Sequence, residues 1–160
     1  MKILFLDFDG VLHPFFPRDD RSDEENQLFS YLPRLERVLR EFSDLRVVIT
    51  SSWRTNRSWD DLIKPFAPDI AIRIIGATPS LNHQDHSRFK EVLHYLDQNN
   101  LHGANWVALD DDPALYPADC SSLVLCEDGF REAEERALRN LLARLNIDSI
   151  EEKVDHERRP

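Results

Sequence analysis

Five short apolar runs recur along the chain, separated by polar or helix-patterned stretches. They are KILFLDF (2–8), LRVVITS (45–51), IAIRIIGA (70–77), NWVALDD (105–111) and SSLVLC (121–126). Several are rich in Leu, Ile and Val without a clean alternation of apolar and polar positions. A strand with one wet face alternates, whereas a parallel strand covered on both faces does not. The runs therefore predict buried parallel strands.

Between them the period changes. Leu35, Val38, Leu39 and Phe42 fall at i, i+3, i+4 and i+7, a helical stripe whose first turn accommodates Pro33. Phe89, Val92, Leu93 and Leu96 repeat the stripe, with Asp85 or Ser87 as its expected N-cap. Leu138, Leu141, Leu142 and Leu145 do so again. SWDDLIKPF (58–66) reads as a short helix capped by Ser58 and stopped near Pro65. Strands alternating with helices predict an open α/β sheet of five strands with right-handed crossovers. We expect one domain over 1–148. Residues 149–160 carry most of the charged run EEKVDHERRP and read as a flexible tail. Residues 15–27, FFPRDDRSDEENQ, read as a loop or flap.

Composition narrows the function classes. Apolar residues at 41% and charged ones at 31% describe a foldable chain, not a disordered one. No apolar run approaches the roughly 20 residues that cross a bilayer, and the first one breaks at Asp7, unlike a signal peptide. Two cysteines, Cys120 and Cys126, make no disulfide framework and fit a reducing cytoplasm. A formal charge of −10 disfavours a protein that grips nucleic acid by bulk electrostatics. Any anionic substrate must then meet a metal or a few placed cations. Neither glycine fingerprint of nucleotide-binding folds occurs.

In an open α/β sheet, ligands bind beyond the carboxyl ends of the strands. There the first run ends in Asp7 and Asp9, followed by Gly10. The second ends in Thr50, Ser51, Ser52 and Arg54, and the fourth in Asp110, Asp111 and Asp112. Carboxylates gathered at one edge repel one another unless a hard divalent cation such as Mg2+ joins them. A phosphate can then be bound, with Thr50 as hydroxyl donor and backbone N–H groups after it. One carboxylate suits a nucleophile and a second, two residues on, suits proton transfer. Arg88 or Lys90, opening the next helix, supplies a cation; Arg54 and Arg57 lie just past strand two. Taken singly, each feature has a plainer reading: Asp-Gly as turn chemistry, Thr-Ser-Ser as a cap, Arg88 and Lys90 as solvated helix charges. Their joint placement on three strand ends favours function.

FLDFDGVLHP, VVITSSWR, a basic residue opening a helix, and WVALDDD resemble the haloacid dehalogenase (HAD) superfamily of phosphohydrolases, in that family's order. TSSWR, SRFKEVLHYL and ALDDD look most like the HAD domains associated with Swiss Army Knife RNA repair proteins. The resemblance implies a three-layer Rossmann-like fold with helices on both faces of a mostly parallel sheet. It implies Asp7 as a nucleophile that forms an aspartyl-phosphate and binds Mg2+. Asp9 would be the general acid/base and lend its carbonyl to the metal. Thr50 would hold the phosphoryl group, with Ser51, Arg54 and Lys90 as further substrate contacts. Arg88, with Lys90 second, would fill the basic role, and Asp111, with Asp110 beside it, would be the third metal carboxylate. An aspartate at position 9 points to phosphoryl transfer to water and away from carbon–halogen cleavage. The gaps after the first and third motifs are too short for a cap domain. A capless, open site in this family tends to serve bulky substrates, nucleic-acid ends among them; a small-molecule or phosphoprotein phosphatase is the alternative. No membrane and no obligate protein partner is implied.

Outside this set, His13 reads as a structural loop histidine, and His83 and His86 lack a third metal ligand. Trp53, Trp59 and Phe15 are candidates for base stacking, with packing the plainer reading. A receiver-like signalling module would need an acid at the end of strand three, which instead reads IIGATP.

Overall fold

A computed structural model describes residues 1–82 and 85–157, with 147–157 as backbone only. Its centre is a five-stranded, all-parallel sheet of order β3-β2-β1-β4-β5. The strands are β1 (Lys2–Leu6), β2 (Leu45–Ile49), β3 (Ile74–Ala77), β4 (Asn105–Asp110) and β5 (Leu123–Leu125). The helices are α1 (Leu32–Glu41), α2 (Trp59–Ile63), α3 (Pro68–Ala71), α4 (Ser87–Gln98) and α5 (Glu132–Glu157).

The missing alternation in the strands has its cause here, because every residue of β1 is buried. Its Leu4 and Leu6 join Val47, Ile49, Val107 and Leu109 in a core closed by Leu35, Val38 and Leu39 of α1 and Leu138 and Leu142 of α5. The alternate residues Ile3 and Phe5 turn the other way, to Val92, Tyr95 and Leu96 of α4. Phe5 meets Tyr95 and Trp106 edge to face at 5.9 and 5.8 Å. Period two thus feeds two apolar layers, and the chain is α/β with three layers, as the pattern predicts. Among the described residues no cap is inserted: residues 7–31 form turns and loop before α1, and 78–82 and 85–86, between β3 and α4, carry no helix or strand.

Two local expectations need correction. The run 70–77 is strand only from Ile74. Pro68 starts a helix, whose first-turn φ it presets, so the apolar Ile70 packs inward from α3 while Ile72 is exposed. Arg73 then turns back and donates to the carbonyls of Leu39, Phe42 and Leu45, tying α1 to β2. At α4 neither Asp85 nor Ser87 is the N-cap. That position falls to His86, which makes no side-chain cap hydrogen bond. Ser58 does cap α2, accepting from the Asp61 N–H. His83 lies outside the described residues.

Candidate active site

The sheet order places β1 between β2 and β4, so its carboxyl end is flanked from both sides. The hydrogen-bond ladder runs one step past the strands. Asp7 N–H donates to Leu109 at 3.1 Å and Thr50 N–H to Leu6 at 2.8 Å. Cys126 N–H donates to Asp110 at 2.8 Å. Thr50, Asp7 and Asp110 are thereby fixed on backbone that cannot drift, side by side at one edge.

Carboxylate oxygens of Asp7, Asp110 and Asp111 come within 4.8 Å of one another. Asp7 and Asp110 are buried and Asp111 half-buried. The next turn explains Gly10. It holds φ +73°, and a Cβ there would stand 2.0 Å from Asp111 Oδ2. Only glycine lets this carboxylate fold over the turn.

The cluster is electrostatically strained. Burial pushes the Asp7 carboxyl above its ordinary value, with the Arg88 charge pulling the other way. Burial, then the Asp7 charge, pushes Asp110 up to about 7. The same two causes raise Asp111 to about 6. Among the described residues Arg88 alone is ion-paired with this set, to Asp7 at 3.5 Å and Asp110 at 3.6 Å. One loosely placed guanidinium does not balance three carboxylates. An all-oxygen, strongly acidic donor set of this kind fits a hard divalent cation such as Mg2+.

Among the described residues three buried polar atoms at this edge lack hydrogen-bond partners, Thr50 Oγ1 and Arg88 Nη1 beside the carboxylates and Thr78 Oγ1 just past β3. Buried donors without partners are rare and ask for a ligand or a water. Of Arg88 and Lys90, it is Arg88 that faces the carboxylates. Two residues along a helix turn a side chain about 200° away, and Lys90 makes no ion pair among the described residues. Arg54, expected on substrate, is turned inward. It donates to the carbonyls of Thr50, Ser51, Thr78 and Pro79 and pairs with Glu91 at 2.7 Å. Its donors are committed to bracing the loops after β2 and β3. Ser51 is buried and caps the 3-10 turn Ser52–Thr55 through its side chain.

Asp9 stands apart from the three-carboxylate set. Trp53 Nε1–H donates to its Oδ2 at 2.9 Å, and His13 Nε2 lies 2.9 Å from its Oδ1. His13 Nδ1 accepts the Phe29 N–H at 3.1 Å, so its hydrogen sits on Nε2 and points at Asp9. Phe29 holds φ +62°, a left-handed conformation that costs a non-glycine residue about 1–3 kcal/mol. His13 and Trp53 pack with Phe29 in an aromatic nest, at 5.2 to 6.0 Å. Sequence reasoning did not assign this clamp. The only signal was the spacing of His13 four residues past Asp9, and Trp53 lies 44 positions away.

A model of the family described as the HAD domain in Swiss Army Knife RNA repair proteins matches residues 3–135. No curated protein matches the chain, and no solved structure does.

Proposed function

The chain belongs to the HAD-domain family of Swiss Army Knife RNA repair proteins, and from that premise we propose that it is a Mg2+-dependent phosphomonoesterase working through an aspartyl-phosphate, with nucleic-acid ends as its substrates. Membership suggests phosphohydrolase activity; the metal, mechanism and substrate are our reading. The observation that carries it is the meeting of three carboxylates, an unpartnered Thr50 hydroxyl and an Arg88 guanidinium whose Nη1 makes no hydrogen bond, at one edge.

Asp7, Asp110 and Asp111 side chains and the Asp9 carbonyl would hold Mg2+. When bound, it keeps the carboxylates ionised and draws charge from the phosphoryl oxygens. Thr50 Oγ1 and Arg88 donate to those oxygens, a role their open valences leave free. An Asp7 carboxylate oxygen attacks phosphorus, and the bond to the ester oxygen breaks. Asp9 delivers a proton to that departing oxygen. Water then attacks the phosphorus of the aspartyl-phosphate while Asp9 takes its proton. The bond from phosphorus to Asp7 breaks and inorganic phosphate leaves. The Trp53 and His13 hydrogen bonds hold both Asp9 oxygens in one orientation through the two half-reactions.

No helix among the described residues is long and apolar enough to cross a membrane. The free Cys120 and Cys126 favour a reducing, cytoplasmic setting. The deciding experiment is a hydrolysis screen over RNA and DNA bearing 3′- or 5′-phosphates, with small phosphate esters alongside, with and without Mg2+. Parent protein is expected to release phosphate only with Mg2+, and Asp7→Asn to lose at least about a thousandfold while staying folded. An Asp7→Asn protein as active as the parent ends the nucleophile assignment.

A further inference from the structure

A cavity of about 240 Å³ opens beside the carboxylates and shares Gly10 and Asp111 with them. Phe15 and Phe16 form part of its wall, in edge contact with ring centroids 4.7 Å apart. The rings are 58% and 71% exposed, so they add little to the core. Single exposed apolar residues need no explanation, but two adjoining aromatic rings at the mouth of a reactive site do.

The loop bearing them is braced in place. Asn26 bonds both the N–H and the carbonyl of Arg18, at 2.8 and 2.9 Å. Arg18 and Arg21 both pair with Asp128, on the loop before α5. The rings are therefore presented on a fixed frame and need little ordering to meet a ligand. Glu127, also lining the cavity, is exposed, and its carboxylate has no partner among the described residues.

We propose that this cavity is the leaving-group subsite and takes the base of a nucleotide, stacked on Phe15 and Phe16 with an amino group donating to Glu127. This rests on the phosphohydrolase reading above. Because the cavity borders Gly10 and Asp111, the group esterified to a phosphate held at the carboxylates can extend into it. The aromatic wall suits a flat ring. With Asp111 engaged by the metal and Arg18 paired to Asp20 and Asp128, the free Glu127 carboxylate is the group that selects, and it favours a neutral ring that carries hydrogen donors. An esterified phenol, as in phosphotyrosine, has no such donor. Carboxylates accept from the exocyclic amino group of cytosine, so cytidine is preferred over uridine, which lacks one.

The test uses cytidine and uridine 3′- and 5′-monophosphates, glycerol phosphate and phosphotyrosine, all with Mg2+. In the Phe15→Ala/Phe16→Ala protein, the preference for cytidine monophosphate over glycerol phosphate should fall about tenfold, through KM. Glu127→Ala should bring cytidine and uridine monophosphates to equal kcat/KM. An unchanged nucleotide-to-glycerol-phosphate ratio overturns the subsite, and so does a loss greater for phosphotyrosine than for nucleotides. Calorimetric binding of cytidine monophosphate to the Asp7→Asn protein separates the two proposals. If the parent hydrolyses nothing, the catalytic reading fails alone, and about tenfold weaker binding on removing both phenyl rings still supports the subsite. Equal binding with and without the rings overturns it.

Discussion

Two buried charge clusters lie next to each other at the carboxyl edge of the sheet, and they are resolved in opposite ways. Around Arg54 the accounts close. Its guanidinium reaches four carbonyls and Glu91, and the other Glu91 oxygen accepts the Leu81 N–H at 3.0 Å. Around Asp7 they do not. Three carboxylates face one another, Arg88 sits at 3.5 Å or more, and the Thr50 hydroxyl has no partner. Asp7, Asp110 and Arg88 are about as hidden from water as Arg54 and Glu91, so burial alone does not distinguish the two clusters. Satisfaction does. A buried charge with every bond made holds the fold, and one left short has capacity for a ligand. Arg88 touches both, lying 3.8 Å from Glu91 as well as facing Asp7.

The contrast can be broken most severely at Asp9. Asp9→Asn should lower kcat about 100- to 10,000-fold, the range of general acid/base catalysis, with the melting temperature little changed. An unaltered rate would falsify the proton-transfer role. The reverse pattern is expected at Arg54. Arg54→Met takes away the close partner of buried Glu91, leaving it the Leu81 N–H and Arg88 at 3.8 Å, and should cost about 3–5 kcal/mol of stability in urea unfolding. The double variant Arg54→Met/Glu91→Leu should recover most of that loss. If the double variant is no better than the single one, Arg54 is not the structural half of the comparison.

A smaller effect is expected from pH. Asp7, Asp110 and Asp111 are raised in the fold, Asp110 to about 7 and Asp111 to about 6. Without metal, this cluster then binds more protons in the fold than in the unfolded chain from about pH 4 to 7, so its contribution to stability falls as pH rises through that window. Mg2+ binds the ionised set and should raise the melting temperature more at pH 8 than at pH 5. Equal shifts at the two pH values would count against the cluster as the metal site. Smallest is Trp53→Phe, which keeps the aromatic nest but removes one hydrogen bond to the Asp9 carboxylate. We expect about a tenfold lower kcat, in line with about 1.5 kcal/mol, the low end for a bond to a charged group, and an unchanged KM. A change in KM alone would mean that Trp53 binds substrate and does not position Asp9.

Much of this was legible along the chain. Leu4, Leu6, Ile3 and Phe5 carry no alternation because both faces of β1 are covered, and that signal is local. The same holds for Asp7 and Thr50, which are one step beyond strands that could be read. The run 70–77 misled because Ile70 is apolar for the sake of α3 packing, and an apolar run does not say which element buries it. Arg54 misled for a related reason. A cation just past a strand end looks available to substrate until the carbonyls that claim it are seen.

What the sequence determined by itself is therefore the five strands, the helical stripes of α1, α2, α4 and α5, their order along the chain, and which carboxylates and hydroxyl arrive at one edge. Periodicity and strand-end position are short-range properties, written within a few residues. Only the tertiary structure decided which cation serves the carboxylates, which one is spent on the frame, and what holds Asp9. Those answers turn on ångström distances between residues such as Trp53 and Asp9, or Arg88 and Asp110, that lie far apart in the chain. Hydrogen bonds and ion pairs fall off within a few ångströms, so no pattern along the sequence encodes them until the sheet brings their ends together.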